Sequence, residues 1–115
     1  MAQPNYHQLL SQVMDSNPAQ QMAARMIILA MEEDAVNALI DIYYAGVTDA
    51  EGEAILEIIA EIGGYEAVLI LRNIYDFEDS RPQLRHSAAK GLLRNSDSLT
   101  QEEREDIAMY FARLG

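Results

Sequence analysis

Ser16, Thr48 and Ser80 stand 32 residues apart, twice over. Each sits in a tetrapeptide that reads as a helix start: Asp15-Ser16-Asn17-Pro18, Val47-Thr48-Asp49-Ala50 and Asp79-Ser80-Arg81-Pro82. A hydroxyl side chain just ahead of a helix accepts a hydrogen bond from a first-turn amide that has no partner inside the helix. Proline in the first turn gives up no helical hydrogen bond. Three such starts at one fixed interval describe a stacked helical array, in which each unit buries its apolar face only against its neighbours.

Periodicity and caps predict seven helices, roughly 5–14, 17–31, 33–45, 49–62, 64–75, 81–94 and 100–114, and no strand. Thr48 with Glu51, Ser80 with Gln83 and Thr100 with Glu103 have the spacing of capping boxes. Gly46, Gly63-Gly64 and Gly115 are expected to close helices. Shifted on itself by 32 residues, the chain aligns Leu10 with Ile42 and Ile74, Tyr6 with Ala38 and Ile70, and Val13 with Ala45 and Phe77. Ala35 falls on Ala67 and Leu39 on Leu71. In the second helix of each unit Ala24, Leu56 and Ala88 coincide, as do Ile28, Ala60 and Leu92. The expected fold is all-α: a right-handed α-solenoid of three αα-hairpins, at about residues 3–32, 33–63 and 64–95. A C-terminal helix caps it, with Ile107, Tyr110, Phe111 and Leu114 as its apolar stripe. Residues 1–115 read as a single domain, long enough to bury a core without staples.

Charge narrows the partners. Of the net −11, residues 1–63 carry −9 (ten acids, one base), residues 64–95 carry +1 and residues 96–115 carry −3. A phosphate backbone or an anionic membrane would repel such a chain, so neither nucleic acid nor membrane is an expected partner; a protein or peptide with a basic segment is. The absence of cysteine removes zinc ribbons, thiol catalysis and disulfide scaffolds. The longest apolar run, Met26 to Met31, is too short for a membrane span or an internal signal sequence. A soluble, cytoplasmic protein is the expectation.

The segment Pro82-Gln83-Leu84-Arg85-His86-Ser87-Ala88-Ala89-Lys90-Gly91-Leu92 resembles the second helix of the short HEAT-like repeat of phycobilisome-lyase type, with its Arg, paired small residues and Leu. Ile58-Ile59-Ala60-Glu61-Ile62-Gly63, followed by Gly64 and Glu66-Ala67-Val68, is similar to that family's junction between units. The likeness spans 33–95 best; the first two units have Gln21 and Glu53 where the third has Arg85. It implies a scaffold or adaptor whose second helices line a concave binding face. Some relatives assist the attachment or release of a tetrapyrrole. The paired His-Glu dipeptides of the iron-dependent hydroxylase relatives are replaced here by His7-Gln8 and His86-Ser87.

Little in the chain points to catalysis, and no metal or cofactor is expected. His86 is either a proton carrier or ligand beside the concave face, or a solvent-facing helix residue. Glu32-Glu33-Asp34 suits a helix N-terminus. Asp76-x-Glu78-Asp79 is an acidic loop without the length or glycine of a calcium site. Glu53, Glu57 and Glu61 run up one side of a helix at i, i+4 and i+8, a spacing at which like charges repel. At the 32-residue register Glu57 neighbours Arg25, and Glu53 neighbours Arg85. The three acids therefore form either inter-unit ion pairs or a docking strip.

The apolar residues on the far side of the second helices complete the candidate surface. If Ala24, Ile27, Ile28 and Met31 face the core, Met22, Met26 and Leu29 point away from it. Their register mates include Ile58, His86, Lys90 and Glu61. Such a face is expected to be covered, by the chain itself, a second copy in a homodimer or a partner helix. The predicted protein-binding set is thus Met22, Arg25, Met26, Leu29, Glu53, Glu57, Ile58, Glu61, His86 and Lys90.

Overall fold

The helix starts are set by prolines and short polar caps. The computed structural model describes residues 4–78 and 80–114, so Asp79 and Gly115, read above in a loop and as a helix stop, lie outside it. It contains α1 (Tyr6–Val13), α2 (Pro18–Ala30), α3 (Glu33–Ala45), α4 (Asp49–Ile62), α5 (Tyr65–Phe77), α6 (Pro82–Arg94) and α7 (Gln101–Leu114). One turn of 3-10 helix, Ser96–Ser98, precedes α7, and there is no strand among the described residues. No helix is long and apolar enough to cross a membrane among those residues. The chain is all-α.

Thr48 forms the predicted capping box: its hydroxyl accepts from the Glu51 amide at 3.1 Å, and the Glu51 carboxylate accepts from the Thr48 amide at 2.9 Å. Thr100 and Glu103 repeat it ahead of α7. Ser16 and Ser80 do not cap, because Pro18 and Pro82 fix the first helical position and move the cap one residue on. Asn17 takes that place, its side-chain oxygen accepting from Ala19 and Gln20. Arg81 takes it ahead of α6 without a side-chain cap, and the Ser80 hydroxyl donates to Glu78 instead. Thr48→Ala and Asn17→Ala should each cost about 1 kcal/mol in chemical denaturation, and Ser16→Ala only a few tenths.

The two boxes also make stability depend on acid. Amide and hydroxyl donors from Thr48 hold the Glu51 carboxyl below its usual range, and Thr100 with Arg72 does the same for Glu103. A carboxyl depressed in the folded state contributes fully above the ordinary glutamate range and stops contributing as pH falls through its folded value. Denaturation midpoints should therefore drop as pH falls through that window, and less steeply in a Thr48→Ala/Thr100→Ala variant.

Three antiparallel pairs, α1/α2, α3/α4 and α5/α6, pack on one another, α4 against both α2 and α6, α3 against both α1 and α5; α7 packs on α6. Several side-chain contacts between second helices share one offset. Arg25 reaches Glu57, Arg81 binds Asp49, and Leu84 lies over Gly52, each 32 residues on. So α2, α4 and α6 run parallel, side by side. Two glycines allow α4 and α6 to approach closely: a Cβ on Gly52 would stand 2.7 Å from a Leu84 methyl, and one on Gly91 would stand 3.0 Å from the Ala60 Cβ.

The aligned rows are mostly core. Ala35, Leu39, Ala67 and Leu71 are inaccessible, and Ala24, Leu56, Ala88, Ile28, Ala60 and Leu92 are all buried. The Val13/Ala45/Phe77 row, at the last turn of α1, α3 and α5, holds only in part: Val13 packs against the core, but Ala45 is exposed and Phe77 largely so. On α7, Ile107 is buried and Tyr110 and Phe111 pack on the core, but Leu114, at the helix end, is exposed. Arg85 does not flank Glu53 in an ion pair. Its Nε donates to the Tyr75 carbonyl at 2.9 Å and its guanidinium lies over the Tyr75 and Tyr110 rings. That arginine binds α5, α6 and α7 together. Arg85→Ala would leave a carbonyl of the last turn of α5 without this donor and two rings without their cation, at a cost of about 2 kcal/mol in thermal denaturation.

Candidate functional site: the groove between the second helices

The parallel second helices bring charges of alternating sign onto one surface. On α2, Arg25 donates to Glu61 at 2.8 Å and to Glu57 at 3.3 Å, both on α4. Glu61 also stands 3.9 Å from Arg94 on α6. Base, acid and base therefore alternate across three helices. The ion pair expected between Glu57 and Arg25 at the 32-residue register is present, Glu61 joins it from 36 residues away, and together they relieve the i, i+4 repulsion along α4. Being half-exposed, they add little to stability individually.

Between α4 and α6 the surface sinks into a groove of about 370 Å³. Glu53 and Glu57 form its α4 wall, His86, Ser87, Lys90 and Arg94 its α6 wall, and Ala60 with Gly91 its floor. The small floor residues let the helices close together, and the long side chains above them form the rim. Glu53 and Lys90 make no ion pair among the described residues. His86 is half-buried: its Nδ1 lies 3.1 Å from the Tyr110 hydroxyl and its ring packs on Phe111. It thus stands at the junction of groove and capping helix, and is not the free surface residue that was one of its two readings.

A second, more open groove of about 550 Å³ lies at the other end of α4. Leu29, Val36 and Ile62 line its apolar side, and Glu32, Glu33, Glu61 and Glu66 surround the exposed ring of Tyr65. No group of three or more metal-ligating side chains occurs among the described residues.

Four of the ten predicted site residues, Glu53, Glu57, His86 and Lys90, meet in the first groove, with Arg25 and Glu61 paired beside it. Ile58 does not belong to any surface. It is fully inaccessible, because α4 is the middle second helix and is wrapped by first helices on the side its end-unit counterpart leaves open. Leu29 is half-buried against the core. Met22 and Met26 are exposed as expected, at 66% and 63%. Ile27, expected inside, is half in water, and with it the outer face of α2 takes in Ala19, Ala23 and Ala30. Ser87 and Arg94 were missed. They sit three residues before and four after Lys90, so the same helical register that selected Lys90 places them beside it.

No protein-family model, curated protein or solved structure matches this chain. The groove is therefore read from its own chemistry. It offers two charged walls of opposite sign and a hydroxyl along a trough that runs beside residues 53–60 of α4 and 86–94 of α6. Such a trough can hold an extended or helical peptide by paired charges at its rim. On the α6 wall Ser87 is half-buried, and the Nδ1 of His86 is engaged by the Tyr110 hydroxyl.

Proposed function

We propose that this chain is a small HEAT-like adaptor, a right-handed solenoid of three helical hairpins, that binds a protein segment in the groove between α4 and α6. The reading is supported most by one observation: Glu53, Glu57, His86 and Lys90, selected from the 32-residue register, line a single groove. The parallel packing of α2, α4 and α6 at that register supports the repeat architecture. The strong acidity of residues 1–63 favours a partner segment carrying basic residues, whose side chains would meet Glu53 and Glu57 while Lys90 takes a carboxylate or carbonyl.

The test is affinity capture with the wild-type chain, with Glu53→Lys and with Lys90→Glu. Glu53 is the clean site for reversal, because Glu57 and Glu61 hold Arg25 and their loss would disturb the stack. A partner held by the wild type should be released by salt, lost with Glu53→Lys and weakened about tenfold with Lys90→Glu. Retention unaffected by salt and by both variants would count against the groove. The tetrapyrrole alternative rests on the resemblance alone, and a bilin absorption shift on mixing would favour it.

A further inference from the structure

We propose that the chain self-associates through the outer face of α2, with a second copy of itself as the occupant. The face consists of Ala19, Met22, Ala23, Met26, Ile27 and Ala30, all exposed. The equivalents of Ala23, Met26 and Ile27 on α4, 32 residues on, are Ile55, Ile58 and Ile59, and all three are fully inaccessible. The same helix side that forms core in the middle of the stack thus meets water at its end. The cause is position in the stack: α4 packs on α1, α3 and α5 as well as on α2 and α6, whereas the main contacts of α2 are with α1 and α4 alone.

Charge selects the occupant. The chain has nineteen acids, yet none falls between Asp15 and Glu32. The only charge on α2, Arg25, is turned inward to Glu57 and Glu61. A basic partner finds nothing to neutralise here. Two copies of a −11 molecule, by contrast, can meet on this face without setting acid against acid, as contacts through the acidic segments 32–63 and 96–115 would. The relief is also self-complementary. Met22, Met26 and Ala30 form one i, i+4 ridge and Ala19, Ala23 and Ile27 the next, so a two-fold pairing seats the methionines of one copy over Ala19 and Ala23 of the other. A crossing of about 50° centred on Ala23 and Met26 keeps the acidic ends, at Asp15 and Glu32 to Asp34, apart.

One helix face is smaller than a standard interface, so the dimer should be weak and concentration-dependent. Its salt response should run opposite to that of a basic partner: screening the −11 charges tightens it. Sedimentation velocity on the full chain across a concentration series, at low and high salt, reads this directly. The expected result is a monomer–dimer equilibrium that shifts toward dimer with salt and is weakened at least tenfold in Met22→Glu/Met26→Glu, with an unchanged circular dichroism spectrum. Because the chain has no cysteine, Ala23→Cys supplies a second measurement that leaves the fold intact. Mild oxidation should link two copies through that thiol, whereas Met109→Cys, exposed on α7, should link far more slowly. A monomer at every concentration and salt, or equal linking at the two positions, would overturn the proposal and leave the face to a different chain. Neither result bears on the α4/α6 groove.

Discussion

Ile58→Glu is expected to unfold this protein, and Met26→Glu to leave it folded, although the two positions share one register. Ile58 is wholly inaccessible, whereas its register mate Lys90 is exposed, so a carboxylate placed at 58 would be taken out of water. The substitution forfeits about 1.5–3 kcal/mol of side-chain burial. It adds several kcal/mol for desolvating a charge, or for holding it neutral at pH 7. A domain of this size has about 5–15 kcal/mol in total. Met26 is nearly two-thirds exposed, so a charge there stays in water and costs about 0.5 kcal/mol or less. Far-UV circular dichroism and thermal melts at neutral pH separate the two. Equal melts would mean that α4 is not held between first and second helices as described. Ile58→Ala, which adds no charge, should still lose about 2–5 kcal/mol to its cavity.

That contrast also marks where sequence reasoning reached and where it stopped. Helix positions follow from local chemistry, and Thr48, Thr100, Pro18, Pro82 and Gly63 each signal a boundary within a turn of itself. The 32-residue offset between second helices was legible too, because Arg25–Glu57 and Leu84–Gly52 repeat a spacing written in the chain. Rotation of each helix about its own axis was not. α2 carries apolar residues nearly all round, so periodicity could not say which side was core; in α4 the glutamates mark one side, but only the first helices packed around it explain why Ile58 is buried while Met26 is not. Arg85 shows a second limit. A register argument placed it beside Glu53, but the Tyr75 carbonyl and two aromatic rings lay closer once α7 had folded back. In the groove, the charged wall residues were found through their spacing, while the floor, Ala60 and Gly91, carries no chemical signal and is defined only by how closely two helices approach.

Enlarging that floor should be the other severe change. Gly91→Leu is expected to destabilise the protein by about 3 kcal/mol, and Gly91→Ala by about 1 kcal/mol or less. A Cβ on Gly91 already meets the Ala60 Cβ at 3.0 Å and both Leu71 methyls at 3.1 Å. Ala60 and Leu71 are themselves buried, so neither has room to retreat. For alanine the neighbours must give by a few tenths of an ångström, and the roughly 1 kcal/mol that a helix gains when glycine is replaced offsets part of that strain. For leucine the remaining side chain has to displace Leu71 or push α6 off α4, and overpacking of this kind costs about 1–3 kcal/mol or more. Gly52→Ala should cost at least as much as Gly91→Ala, since its Cβ would meet a methyl of the wholly buried Leu84 at 2.7 Å. Melting temperatures of the three variants at roughly 4 °C per kcal/mol resolve the series. Gly91→Ala then serves a further purpose, because it raises the groove floor without touching Glu53, Lys90 or any ion pair. Partner binding that weakens in this folded variant would place the bound segment down in the trough between α4 and α6; binding that survives would place it on the charged rim alone.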